Sequence, residues 1–192
     1  MDDTYINFIK DAYNSGLCEG YKNEVRKCNR NAEALSRLAM RQQSIPWVAT
    51  KIKEGVIPVN YAKRKFAGLI NGKTLKDCDN VAGYTYQWYI DHNKDIFTSA
   101  DVINITACKN IDITIKQTKC PVIYINNNSN VNINLEGYNS IKIYLFDNSH
   151  AAINDTDNES DVTIYKYSTT CNATENKFCL CKVKQFNKTL RL

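Results

Sequence analysis

Glycine and proline are scarce in this sequence, with 7 and 3 residues among 192, and there are only 2 histidines. Because glycine is scarce, tight turns must use other residues that tolerate a positive φ, chiefly asparagine. Long apolar runs are missing too, since none approaches the roughly 18 residues of a membrane-spanning helix. The first ten residues, MDDTYINFIK, carry acids where a secretory signal has basic residues. We therefore expect no membrane contact and synthesis in a reducing cytoplasm.

Motifs of the common enzyme classes are also missing. Neither His92 nor His150 lies in a recognised catalytic frame, and no G-x-S-x-G, H-E-x-x-H or P-loop motif is present. Paired carboxylates on a β-helix can cleave polysaccharides. A solenoid of roughly three to four coils, however, is a short platform for a substrate groove. We predict a protein that is not an enzyme and uses no cofactor.

Two groups of potential metal ligands have the wrong spacing for the common sites. Among the 8 cysteines only Cys171, Cys179 and Cys181 cluster, and this is not a structural zinc pattern. The sequence leaves open whether these three form a disulfide or bind a metal. The acidic turn 155–161 alternates carboxylates as a calcium loop can, but it lacks the glycine and the final glutamate of an EF-hand. We predict a solvated turn and no metal site.

Charge divides the chain into three parts. Residues 1–76 hold 14 basic and 7 acidic residues, residues 77–170 hold 6 and 12, and residues 171–192 hold 5 and 1. Composition shifts at the same borders, which indicates separate modules. The predicted organisation is α+β: a basic helical attachment module over 1–76, a β-solenoid over 77–170, and a basic, cysteine-containing cap or tail over 171–192.

The first module has the apolar spacing of four short helices, a small helical bundle. Thr4, Asn31, Ser44 and Asn60 stand at or near their first residues, and Gly72 ends the last.

Basic and aromatic residues alternate within this module, as they do in nucleic-acid-binding proteins. No helix-turn-helix or zinc-finger frame accompanies them, so nucleic acid is the less favoured partner. We predict instead that Lys63, Arg64 and Lys65 dock on an acidic protein surface.

A repeat of about twenty residues runs through the second module. Ile103, Ile123 and Ile143 recur at this spacing, which is typical of a solenoid with two strands and two turns per coil. We predict that these three isoleucines stack in one dry interior. The other recurring apolar positions are Ile105, Ile125 and Leu145, then Ile111, Val131 and Ala151, with Val162 and Ile164 displaced by one residue.

Asparagine alternates with these apolar residues, as in NNNSNVNINLEGYNS. It tolerates positive φ at the corners of a coil, and stacked amides can hydrogen-bond from one coil to the next. The alternative architecture is an antiparallel β-sandwich of short strands at similar spacing. The in-register repeat favours the solenoid.

Outward positions between the inward pairs hold Asn104, Tyr124, Tyr144 and, after the one-residue shift, Tyr165. We predict that the tyrosines form a ladder with one ring per strand, about 4.8 Å apart. An exposed ladder of this kind can stack on sugars or anchor a protein. The alternative interpretation is that tyrosine simply favours strands.

Two stretches, RQQSIPWVATKIKEGVIPVNYAKRKFAGLINGK and CPVIYINNNSNVNINLEGYNSIKIYLFDNSH, carry a resemblance. The chain resembles virion fibre and appendage proteins of tailed phages, most of all those of phages that infect gut Bacteroidetes, including the crAss-like group. The resemblance implies a structural role, attachment by the helical end and a projecting β part, commonly as a trimer. At 192 residues the chain is short for a receptor-binding tail fibre, so a head fibre, decoration or adaptor protein fits better.

The sequence therefore predicts a non-enzymatic phage virion protein, made in the host cytoplasm and located in the particle. Its expected partners are capsid or tail proteins and further copies of itself, as in a trimer. The sequence is also compatible with two other functions. One is a carbohydrate-binding module that binds a surface glycan through Tyr124, Tyr144 and Tyr165. The other is a small nucleic-acid-binding or regulatory protein that acts through its basic helices.

Overall fold

The computed structural model describes residues 14, 18–29, 31, 34, 38, 59–65, 67–72, 74–76, 85–116, 121–157, 159–175 and 180–185. Its helices are α1 (Glu19–Lys27), α2 (Val59–Lys65) and α3 (Ala67–Ile70). Most of the described chain is β-structure. The strands are β1 (Leu75–Lys76), β2 (Thr85–Ile90), β3 (Ile96–Thr98), β4 (Val102–Thr106), β5 (Lys109–Lys116), β6 (Val122–Asn126), β7 (Asn130–Glu136), β8 (Ser140–Leu145), β9 (His150–Asp155), β10 (Asp161–Lys166), β11 (Asn172–Glu175) and β12 (Leu180–Gln185).

Successive strands alternate between two sheets. Sheet A has the order β1-β2-β4-β6-β8-β10-β12, and sheet B has the order β11-β9-β7-β5-β3. Among the described strands every pairing is parallel except β1 with β2. The chain thus winds as a β-solenoid with one strand of each sheet per coil, as predicted. An antiparallel sandwich is ruled out by the parallel pairing, so that alternative was wrong.

The register of the strands follows the repeat seen in the sequence. Ile103 pairs with Ile123 and Ile123 with Ile143, a step of 20 residues. The next step is 21 residues, from Ile143 to Ile164, which confirms the displaced position. The first coil is shorter, with steps of 16 residues in sheet A and 17 in sheet B.

The interior between the sheets is mainly apolar. Ile103, Ile123 and Ile143 are each 0% exposed and belong to one continuous core cluster, so the predicted shared interior is confirmed. Burying a side chain of this size contributes roughly 1.5–3 kcal/mol. Since each coil adds such residues to the same column, the core grows with the number of coils.

The exits of β2, β4, β6 and β8 from sheet A each contain a residue with positive φ. Ala107, Asn127 and Asp147 have φ of 55°, 56° and 58° at successive corners, and Asp91 has 50° at the first. The role predicted for asparagine at such corners is confirmed, because Asn127 and its neighbour Asn128 both have positive φ. Short polar side chains tolerate this conformation because they bond to nearby backbone.

Amide ladders link neighbouring coils, also as predicted. The Asn126 side chain donates to Asn104 Oδ1 at 2.9 Å, and the Asn132 side chain donates to Asp112 Oδ1 at 2.7 Å. A third bond joins Asn130 to Asn110 at 2.8 Å.

The predicted helical bundle finds little support. Here α2 contacts α3, and α3 lies against β2 of the first coil instead of forming part of a separate body. The helices expected after Thr4 and Ser44 lie outside the described residues.

Both sheets continue beyond the predicted border at residue 170. Asn172–Glu175 pairs with β9, and Leu180–Gln185 pairs with β10. The described part of 171–192 therefore adds one strand to each sheet.

Candidate functional site

The three predicted tyrosines form a continuous stack on the outer side of sheet A. Tyr124, Tyr144 and Tyr165 occupy paired positions on β6, β8 and β10. The ring centroids of Tyr124 and Tyr144 are 4.9 Å apart, and those of Tyr144 and Tyr165 are 4.7 Å apart. Interplanar angles of 18° and 10° make the rings nearly parallel. The spacing equals that of hydrogen-bonded strands, so the sheet itself sets the stack.

A second, shorter stack lies beside the first and was not predicted. The rings of Phe146 and Tyr167 are 5.1 Å apart at 8°. Their separation of 21 residues along the chain is the same as the step from Ile143 to Ile164. This shared spacing is the feature of the sequence from which the second stack could have been predicted. Both residues follow the last assigned residue of their strands, so strand periodicity alone did not point to them.

Exposure increases along the tyrosine stack towards the C-terminal strands. Tyr124 is only 7% exposed, so the prediction of an exposed ladder was wrong for this residue. Tyr144 and Tyr165 are half-buried. Asn104, which precedes Tyr124 in the same column, is fully buried and uses its Oδ1 in the amide ladder.

Burial raises the pKa of the Tyr124, Tyr144 and Tyr167 phenols above the usual value. Neighbouring tyrosines add to this effect, because an anionic phenolate would be repelled by a second one nearby. The phenols are therefore neutral at physiological pH. Their hydroxyls can both donate and accept hydrogen bonds.

Ring stacking limits what the tyrosines can bind. Because each ring lies over the next, the face of the central Tyr144 is covered on both sides. Lys184 Nζ lies 5.4 Å from the centroid of the Tyr165 ring, within the range of a cation–π contact. A ligand therefore finds no free ring face at Tyr144 on which to stack.

Lysines flank the more exposed part of the stack. Lys142 on β8 and Lys184 on β12 are exposed at outward positions, and Thr163 between them is half-buried. We call this surface the lysine–tyrosine face. It consists of Lys142, Tyr144, Thr163, Tyr165, Tyr167 and Lys184.

Two of the three predicted docking residues of the helical module have described side chains, and these make different contacts. Lys63 Nζ makes a 2.9 Å ion pair with Asp91 Oδ1 at the first corner of the solenoid. Arg64 is exposed, and its Nε donates to the Asn60 carbonyl at 3.4 Å. The side chain of Lys65 lies outside the described residues.

The two groups of potential metal ligands have other roles where they are described. Asp155 Oδ2 accepts from the Ser160 amide at 2.9 Å, and Asp157 Oδ2 accepts from the Gly137 amide at 2.8 Å. Cys171 is a free thiol. Cys179 and the Cys181 side chain lie outside the described part. Within that part, no cluster of three or more His, Cys, Asp or Glu could hold a metal ion.

Fold and surface together define a parallel β-solenoid whose outer face carries stacked aromatic rings and lysines. Comparisons with protein-family models, with curated proteins and with solved structures find no match to the chain. None of the described helices has the length and apolar character needed to cross a membrane.

Proposed function

We propose that the protein is a non-enzymatic, fibre-like structural component of a phage particle, such as a head fibre, decoration or adaptor protein. The observation that supports the proposal is the pair of sheets whose strands β2–β12 all pair in parallel, so that stacked coils build a short rod. Such a scaffold suits display at a distance from an attachment point.

The outer side chains reinforce this rod. Amide ladders bridge successive coils on sheet B, and the aromatic stacks do the same on sheet A. Each bridge links side chains that would otherwise be free to change rotamer. Side-chain bridges of this kind suit a projecting spacer.

Attachment through residues 1–76 belongs to the same proposal. The described end of this module is tied to the first coil by the Lys63–Asp91 ion pair and by the Asn71 side chain, which bonds to the backbone of Ile90. A partner that holds this module would therefore fix the direction of the rod. Assembly as a homo-oligomer, such as a trimer, is also proposed, because it would cover strand edges.

Mass spectrometry of density-purified particles tests the role. We expect peptides of this chain to co-purify with the capsid proteins after nuclease treatment and a high-salt wash of the particles. A non-structural replication protein of the same phage serves as the control for contamination. Loss of the peptides together with this control would refute the assignment.

Sugar stacking on the tyrosines is the weaker alternative. It needs free ring faces, and both faces of Tyr144 are covered by neighbouring rings. The hypothesis of nucleic-acid binding through the basic helices also loses support, because Lys63 already makes an ion pair within the protein.

A further inference from the structure

We propose that the lysine–tyrosine face is a docking surface for an acidic segment of another protein. This goes beyond the proposed structural role, which assigns no partner to the outer side of sheet A. Three observations support the inference: the change in burial along this side of the sheet, its charge, and the fixed geometry of its rings.

Burial divides the outer side of sheet A into two halves. On β2 and β4 the outward side chains of Tyr86, Trp88, Val102 and Asn104 are all buried. On β8, β10 and β12 the equivalent columns hold residues that are half-buried or exposed. The same surface is thus covered at one end of the solenoid and accessible at the other. An accessible aromatic surface that continues a covered one is typical of an interface.

The accessible half is basic. Lys142 and Lys184 are exposed there at outward positions. Asp161, at the start of β10, is the one acid among the outward positions described on these three strands.

The outer side of sheet B, by contrast, mixes both signs. Lys109, Asp112, Lys116 and Glu136 are all exposed there. Charge complementarity therefore directs an acidic partner to sheet A and gives no comparable direction on sheet B.

The fixed rings favour a protein over a nucleic acid or a glycan. Single-stranded bases and sugars commonly bind proteins by stacking on free aromatic faces, and the face of Tyr144 is covered on both sides. Carboxylates instead bind ammonium groups, and Lys142 and Lys184 are exposed here. Because the stack already holds the rings in place, binding loses little side-chain entropy.

Fluorescence anisotropy with the full-length chain and labelled poly-L-glutamate tests the proposal. We expect saturable binding that weakens by about tenfold or more when Lys142→Glu and Lys184→Glu are combined. The matched control combines Lys109→Glu and Lys116→Glu on sheet B, which changes the net charge equally. It should leave the affinity within about twofold, apart from the general charge effect that salt screens.

Tyr144→Phe provides a second, milder variant. It keeps the ring stack and removes one hydroxyl, so we expect binding to weaken by a few fold. Circular dichroism of each variant shows whether the solenoid is intact.

Several outcomes would overturn the inference. Absence of binding to poly-L-glutamate is one, and an equal loss with the sheet B control is another, because it would show attraction to net charge alone. Parallel titrations with heparin and with a DNA oligonucleotide give the third. If either binds more tightly than poly-L-glutamate and depends on the same lysines, the partner is an anionic glycan or a nucleic acid. These measurements do not involve the particle, so absence of the chain from virions would leave them unaffected.

Discussion

Single residues at the corners of the coils determine how the chain turns from one sheet to the other. Asn127 and Asp147 adopt positive φ at successive corners. The backbone amide of Asn127 donates to Asp147 Oδ2 at 2.9 Å. Ala107 stands at the equivalent corner of the preceding coil with φ of 55°. Alanine has no polar side chain to offset the steric cost of this conformation.

Ala107→Gly should stabilise the protein by about 0.5–1 kcal/mol, because glycine adopts positive φ without strain. The free energy of unfolding from urea titration measures the change. Ala152→Gly, in the middle of β9, is the matched control, and it should destabilise by about 0.5–1 kcal/mol. A loss of stability for Ala107→Gly would show that the corner is not strained.

His92 gives the fold a pH dependence at the residue scale. Burial lowers the pKa of His92 below its usual value of 6.5, and the positive charge of Lys94 adds to the effect. In the unfolded chain the imidazole therefore takes up a proton at a higher pH than in the folded chain.

As the pH falls below about 6.5, the unfolded state binds more protons, so the free energy of unfolding should decrease. Urea titrations between about pH 7.5 and pH 5.5 test this, and His92→Gln should reduce the slope. An imidazole titration midpoint above 6.5 in the folded protein, measured by NMR, would contradict the prediction.

At the scale of elements, the C-terminal end of β2, beyond its pairing with β1, is protected by a side chain that takes the place of a neighbouring strand. Asn71 donates to the Ile90 carbonyl at 2.9 Å and accepts from the Ile90 amide at 2.8 Å. The side-chain amide of Asn71 thus makes the two hydrogen bonds that the Ile90 backbone would otherwise make with a paired strand. Nearby, Gln87 donates to Thr74 Oγ1 at 2.8 Å.

Asn71→Ala should destabilise the protein by about 2–4 kcal/mol, because it leaves the buried amide and carbonyl of Ile90 without their partner. Asn154→Ala removes an exposed ladder bond of 3.4 Å and should cost at most about 0.5 kcal/mol. Chemical unfolding of both variants provides the comparison. Equal effects would mean that Asn71 does not protect this strand.

The strands could be predicted from the sequence to a greater extent than the elements around them. Ile103, Ile123 and Ile143 combine alternation with a constant spacing, and both follow directly from stacked coils. The shorter first coil broke this spacing, so Trp88 and Tyr86 were not assigned to the same columns. The contact between α3 and β2 depends on tertiary packing, which has no periodic signature.

The lysine–tyrosine face was predictable only in part, because strand register shows which residues share a column but not which of them are exposed. The column of Tyr124, Tyr144 and Tyr165 follows from register alone. Whether a ring in that column is exposed depends on what covers the sheet, and this is a long-range property. The lysines of the lysine–tyrosine face come from β8 and β12, and the second of these strands lies in the part predicted to be a cap.

At the scale of the whole molecule, stability depends on contacts between neighbouring coils. β12 pairs with β10 and with no other described strand, and its inward Val183 is 55% exposed. β6, by contrast, has a paired strand on each side.

Hydrogen exchange should therefore be slowest in β6 and β7 and fastest, among the solenoid strands, in β12. Exchange followed by mass spectrometry of peptic peptides measures the order. Equal protection of β12 and β6 would indicate that the described edge of the sheet is covered in solution.

The direction of the backbone bonds has a mechanical consequence. Hydrogen bonds between neighbouring strands point along the length of the rod, since the strands themselves run across it. A pull on the two ends puts the same load on every layer, because the layers are arranged in series. The weakest layer should therefore open first, and the rod should come apart coil by coil from that layer.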